Sequence, residues 1–226
     1  MSPGTKTNSD HSQVIHWGID PLLFEHTRIA PRDTSPNRLL YAGQLIPQKG
    51  VHTAIQAFAK AVEAPGCEHL TLSIAGGGPN LEYQAQLVSL VAKLHLNEKV
   101  RFLGSIPRAD LPGVYASHDI LIFPSEWEEP FAITPLEAMA SGLAVIGTIT
   151  GGSGEIFKDR ENALVYKTGD SEECARLILE LCRIPELFRS IRKAGRDEVI
   201  RNYTLHKMVN QIETSLCEIT NQKARV

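Results

Sequence analysis

The sequence predicts an α/β fold built on a doubly wound, parallel, six-stranded, Rossmann-like sheet. Three observations carry that expectation. Apolar runs of strand length recur six times along the chain. Most of them stop at Gly or Pro. Helix-length amphipathic segments separate most of them, which is the pattern of βαβ units.

Taken in order, RLLYAG (38–43) is the first apolar run and stops at Gly43. VHTAIQAFAKAV (51–62) follows, with Val51, Ile55, Phe58 and Val62 at helical spacing. TLSIAG stops at Gly76, and LEYQAQLVSLVAKLHL (81–96) places Leu87, Leu90, Val91 and Leu94 on one face. VRFLG (100–104) and DILIFP (119–124) are the next two strands. TPLEAMASG (134–142) reads as a helix capped by Thr134, with Pro135 near its first position and Gly142 at its end. LAVIG (143–147) and ALVY (163–166) complete the sheet. SEECARLILELCRI (171–184) opens on Ser171 as a partial cap, and helical stretches over about 185–202 and 204–219 close the chain. The organisation expected is a flexible tail over 1–13, a connecting segment over 14–37, one domain over 38–219 and a tail over 220–226.

The chain has 226 residues, 42% hydrophobic and 22% charged, which suits one domain with its own core. Twenty-three basic against 26 acidic residues give a net charge of −3 and no basic excess, so nucleic acid is not an expected partner. The four cysteines, Cys67, Cys174, Cys182 and Cys217, are scattered. They suggest neither a metal site nor a disulfide framework, and they fit a reducing, cytoplasmic compartment. The polar start, MSPGTKTNSDHSQ, has no signal-peptide pattern. No apolar run approaches the roughly 20 residues of a transmembrane span.

In an open parallel sheet, ligands sit beyond the carboxyl ends of the strands. Four loops there carry the chemistry. GQLIPQKG (43–50) sets Lys49 just before a helix, where free amides and a point charge would suit an anion. The same pattern also describes a turn glycine with a solvated lysine. AGGGPN (75–80) lets backbone approach a ligand closely, but it lacks the third glycine of a dinucleotide fingerprint. PSEWEEPFAITPLEAMASG (124–142) places Glu129 before a helix and Glu137 on its first turns. Two carboxylates can orient hydroxyl groups while the amides of Ile133 and Thr134 between them meet an anion. A solvated acidic loop would look the same by spacing alone. TGGSGEIFKDRENALVY (150–166) offers further glycines, with Glu155 as a candidate cap for a following helix.

These loops, in this order, resemble the C-terminal, donor-binding domain of retaining GT-B glycosyltransferases of the group 1 type (family 4). The family's E-x7-E signature reads Glu129-Pro-Phe-Ala-Ile-Thr-Pro-Leu-Glu137, followed by Ala-Met-Ala. GQLIPQKG, AGGGPN, VRFLGSI and GGSGEIFKDRENALVY match in register, and VIHWGIDPLLF (14–24) is similar to the segment that joins the two halves of such enzymes. The resemblance implies one half of a GT-B fold. It implies an NDP-sugar substrate, no metal or other cofactor, and a missing N-terminal half that holds the acceptor site. It gives Lys49 the donor diphosphate and Glu129 the donor sugar, the two residues it implies to be catalytic. Glu129, with the backbone of Pro130, Phe131 and Ala132, would hold the sugar hydroxyls, and Glu137 the ribose. The amides of Ile133 and Thr134 would meet the phosphates. Gly76, Gly77 and the backbone near Ile106 would flank the nucleoside, with Gly43 and Gln44 in the first loop. Two residues depart from the pattern. Gln44 stands where many relatives have Arg, and Ala132 where they commonly have Gly. By this resemblance the isolated chain binds donor without transferring it, or is a non-catalytic nucleotide-sugar-binding module. Any membrane association would be peripheral and lie in the absent half. Base, sugar, acceptor and oligomeric state stay open.

Overall fold

The computed structural model describes residues 13–25 and 36–223. The tail expected over 1–13 lies outside the described residues except at Gln13, as does the middle of the connecting segment. After a short helix α1 (Leu22–Glu25), six strands form one sheet: β1 (Arg38–Ala42), β2 (Thr71–Ala75), β3 (Val100–Gly104), β4 (Ile120–Phe123), β5 (Ala144–Thr148) and β6 (Leu164–Tyr166). All neighbours are parallel and the spatial order is β3-β2-β1-β4-β5-β6. The order reverses between β1 and β4, which makes the gap above their carboxyl ends the switch point of the fold.

Alternation along the strands feeds two cores. Leu39 and Tyr41 of β1 face one side with Ile120 and Ile122 of β4, while Leu40 faces the other with Leu121 and Phe123. The first side is covered by α2 (Val51–Val62), α3 (Leu81–Lys93) and α7 (Ser171–Arg183). The second is covered by α4 (Leu111–Ala116), α5 (Ile133–Ala140) and α6 (Ser153–Ile156). Helix α8 (Pro185–Asn202) gives Phe188 and Ile191 to the first core and Val199 to the second. Helix α9 (Leu205–Lys223) follows, so the helix extends four residues beyond the expected end and into the expected tail.

Several local expectations need correction. Helix α3 stops at Lys93 rather than 96, because His95 takes a left-handed conformation (φ 56°). Asp170, not Ser171, caps α7: its carboxylate accepts from the amide of Glu173 at 2.9 Å. Thr134 does not cap α5. The helix begins at Ile133, after Ala132, which has no side chain able to accept. Glu155 lies inside α6 instead of capping a later helix.

The connecting segment is fastened to the junction of α8 and α9. The amide of Ile19 donates to the carbonyl of Tyr203 (2.9 Å), and the amide of Leu205 donates to that of Ile19 (2.7 Å). Among the described residues no helix is long and apolar enough to cross a membrane.

Candidate functional site

The loop after β1 folds into a single 3-10 turn (Pro47–Lys49), which Pro47 starts. The carbonyl of Gln48 accepts from the amide of Glu126 at 2.8 Å, so the loops after β1 and β4 are tied together across the switch point. This brings Lys49 onto Glu129, 80 positions later in the chain. The Lys49 ammonium contacts Glu129 Oε1, which also accepts from the Ser125 hydroxyl at 2.8 Å. Glu129 and Ser125 are buried, and the Lys49 side chain is one quarter exposed.

At the first turn of α2, beside Lys49, the His52 amide is already engaged. The His52 amide and ring both turn to the Tyr83 hydroxyl, at 3.3 and 2.9 Å. The helix start that does open there is that of α5. It has no capping side chain, so its first amides keep their hydrogen-bonding capacity.

Two adjoining cavities occupy the switch point. One, of about 280 Å³, is lined by Tyr41, Lys49, Ser125, Glu129, Phe131, Ala132 and Ile133. The other, of about 470 Å³, is lined by Gly76, Gly77, Gly78, Ser105, Ile106, Tyr115 and Glu137. Ala42, Gly43, Gln44 and Thr134 border both, so the two form one cleft with two lobes. Of the residues expected at the site, only Pro130 lines neither lobe. Its side chain is exposed, and its carbonyl lies against Gly152.

Glu137 is buried under the second lobe, and the Tyr115 hydroxyl donates to its Oε2 at 2.9 Å. Burial pushes the Glu137 carboxyl above its ordinary range, and the Tyr115 hydroxyl and the Arg108 charge oppose the shift. Burial beside Glu137 holds the Tyr115 hydroxyl well above the usual tyrosine range, so it stays a donor. The floor between the lobes is backbone. The amide of Gly43 donates to the carbonyl of Ala75 (3.0 Å) and that of Gly76 to Gly104 (2.8 Å). A β-carbon at Gly76 would sit 1.7 Å from the carbonyl oxygen of Gly43, so only glycine lets these two turns meet.

The later glycine loop supports the loop that carries Glu129. The amide of Gly152 donates to the carbonyl of Glu129 at 2.7 Å. Gly151, at φ 54°, lies where a β-carbon would be 2.2 Å from that same oxygen. Glu126, by contrast, accepts from Thr53 (3.1 Å) and faces His52 (3.5 Å), which makes it a strut to α2. Sequence reasoning missed Tyr41, Ser125 and Tyr115. Ser125 stands four places before Glu129 in the same loop. Tyr115 lies in a stretch, LPGVYA, with too little periodicity to show a helix. Among the described residues no group of three or more His, Cys, Asp or Glu side chains is placed to hold a metal ion.

Residues 24–198 match the family described as Glycosyl transferases group 1. The chain belongs to that family. It is 30% identical over 176 residues to N-acetyl-alpha-D-glucosaminyl L-malate synthase of Bacillus anthracis, covering 78% of this chain and 44% of that protein. It is 35% identical over 191 residues to a glycogen synthase of Mycobacterium tuberculosis, covering 84% and 44%. The chain therefore spans less than half the length of these relatives. Anabaena Alr3699/HepE, solved with UDP and glucose, superposes with a TM-score of 0.80 at 25% identity, over 91% of this chain and 56% of that one. A C-terminal domain of a group 1 family protein, LpcC of Francisella tularensis, is covered in full, with a TM-score of 0.74 at 26% identity and 83% of this chain. As a group 1 glycosyltransferase domain, the chain has the six-stranded parallel sheet that the sequence predicts.

Proposed function

We propose that this chain is the donor-binding half of a retaining glycosyltransferase. It takes an NDP-sugar in the switch-point cleft, and a further half supplies the acceptor. One observation carries this reading: Glu129 and Glu137 sit in two joined lobes, with the uncapped start of α5 between them. Glu137 and the Gly76–Gly77 turn suit a ribose and its base. The amides of Ile133 and Thr134, with Lys49, suit the diphosphate. Glu129, with the backbone of Pro130 to Ala132, suits sugar hydroxyls. When the anomeric carbon–oxygen bond to the diphosphate breaks, the electron pair leaves with the nucleotide, and positive charge at Lys49 stabilises it. HepE, a structural neighbour, was solved with UDP and glucose, which supports the assignment. The four free cysteines support a cytoplasmic setting.

Calorimetry with UDP, GDP, ADP and their glucose or mannose conjugates tests the proposal. One nucleotide series should bind, and Lys49→Met and Glu137→Gln should each weaken it. If none of the three series binds, the reading is wrong. Gln44 favours a second reading, a binding module without transfer, because the residue bordering both lobes brings no positive charge. Joined to an acceptor half, the chain should transfer sugar with Gln44 in place. Transfer only after Gln44→Arg would favour the module.

A further inference from the structure

Phe131 of the first lobe belongs to an aromatic cluster whose other two members, His16 and Tyr203, line neither lobe. The Phe131 ring lines that lobe on one side. On its other side it packs against His16, with ring centres 5.6 Å apart, and Tyr203, 6.0 Å apart. His16 and Tyr203 meet edge to face at 5.9 Å, which closes the triangle. Both outer members are anchored to α6. The His16 ring contacts the Glu155 carboxylate through Nε2, and the Tyr203 hydroxyl donates to the Glu155 carbonyl at 2.8 Å. The backbone pairing of Ile19 with Tyr203 and Leu205 holds the two strands of chain together.

We infer that His16 and Tyr203 are positioning residues for the sugar lobe, acting through Phe131 to hold the Glu129–Ala132 loop. The loop is gripped from two sides. Gly151 and Gly152 hold its Glu129–Pro130 backbone, and the aromatic pair holds the ring of Phe131. Phe131 lies between Glu129 and the start of α5, so a shift of its ring moves the carboxylate relative to the amides of Ile133 and Thr134. The second lobe shares only Ala42, Gly43, Gln44 and Thr134 with the first, and no member of the triangle lines it. Loosening the triangle should therefore cost recognition of the sugar and spare that of the nucleotide. His16 reaches the site from the connecting segment, so the same contacts link that segment to the donor sugar.

The inference rests on the cleft being an NDP-sugar site, and the test separates the two. Hydrogen exchange of the ligand-free chain is measured over 126–133 for wild type, His16→Ala, His16→Phe and Trp17→Ala. Affinities for UDP and UDP-glucose, GDP and GDP-mannose, and ADP and ADP-glucose are measured alongside. His16→Ala should speed exchange over 126–133 and weaken the NDP-sugar about three- to tenfold more than the matching NDP, as loss of an aromatic pair implies. His16→Phe keeps a ring without the Glu155 contact and should restore most of both. Trp17→Ala removes an exposed neighbour (60% accessible) and should change neither. Unchanged exchange over 126–133 in His16→Ala overturns the inference. So does an equal loss for NDP and NDP-sugar, which would mark a structural role alone while leaving the donor-site reading intact. Wild type that binds neither class overturns both.

Discussion

The contact between Lys49 and Glu129 sets up a competition that one substitution can expose. On the proposed reading a donor diphosphate takes the Lys49 ammonium, which the structure pairs with the buried Glu129 carboxylate. Glu129→Gln keeps the side-chain shape and still accepts from the Ser125 hydroxyl, now 2.8 Å from Glu129 Oε1. It replaces an ion pair with a hydrogen bond from the ammonium to an uncharged amide oxygen. Two unit charges about 4 Å apart attract by about 1 kcal/mol in water and more near a protein surface, so without the carboxylate charge releasing Lys49 costs roughly 1–1.5 kcal/mol less. That converts to about five- to tenfold tighter binding of the bare nucleoside diphosphate. The NDP-sugar should gain less, because the variant loses the carboxylate acceptor for sugar hydroxyls. Calorimetry in 50 mM and 300 mM salt reads both, and the gain should shrink at the higher salt. If the diphosphate binds Glu129→Gln no tighter than wild type, Glu129 does not hold Lys49 back and the reasoning fails.

Other substitutions probe the rest of the cleft. Gly151→Ala forces a β-carbon to 2.2 Å from the Glu129 carbonyl at a left-handed φ, and should cost about 2–4 kcal/mol by chemical denaturation. Gly66→Ala has a similar φ (84°) but open space around it, and should cost only about 1–2 kcal/mol; equal costs would show that the Glu129 loop yields freely. Glu137→Gln should stabilise the fold at neutral pH. Burial raises the folded carboxyl pKa, so this group favours folding below its ordinary pKa and loses that contribution as pH rises through the raised value. The gain in melting temperature should therefore be present at pH 7 and vanish near pH 4, while nucleotide affinity falls at pH 7; a gain that persists at pH 4 would refute the assignment to ionisation. Gln44→Arg adds a cation at the border of both lobes and should tighten diphosphate binding about five- to tenfold, with a steeper salt dependence; an unchanged affinity would place residue 44 away from the phosphates.

The strands were legible because each is a short run rich in apolar residues, and the central ones are buried on both faces, as in RLLYA and ILIF. What escaped was short or lacked period. Helix α4 is six residues long and contains Pro112 and Gly113, and α6 is four residues cut from a glycine loop. The missed cap at Asp170 is a shift of one position, and both Asp170 and Ser171 are good capping types. The E-x7-E spacing marked both carboxylates, yet nothing local tells that Glu129 meets Lys49 or that Tyr115 meets Glu137. The first meeting follows from β1 and β4 being neighbours, which the order of elements along the chain does not state, and the second from α4 and α5 packing on the same side of the sheet.

The wrong cap on α5 is the more informative miss. A helix start with Thr or Ser in place of Ala132 would satisfy its own amides, and the cleft would lose its donors to a side chain. The far end of the same helix is closed instead. Arg192 and Arg196 of α8 donate to the carbonyls of Gly142 and Ala140. Cations at the carboxyl end stabilise a helix whose amino end is left open, which is the favourable sense of the macrodipole. The cleft needs that asymmetry. Its one lining lysine is held by Glu129, and its other carboxylate, Glu137, resists ionisation through burial. Side-chain charge alone therefore offers an anion little until Lys49 is released. On the proposed donor reading, the first hold on a diphosphate would fall to the backbone of α5, and Lys49 would follow as Glu129 turned from the lysine to the sugar. On that reading, exchange of one partner for another, rather than a preformed positive pocket, would let the cleft tell a nucleotide that carries a sugar from one that does not, and Glu129→Gln should remove the distinction.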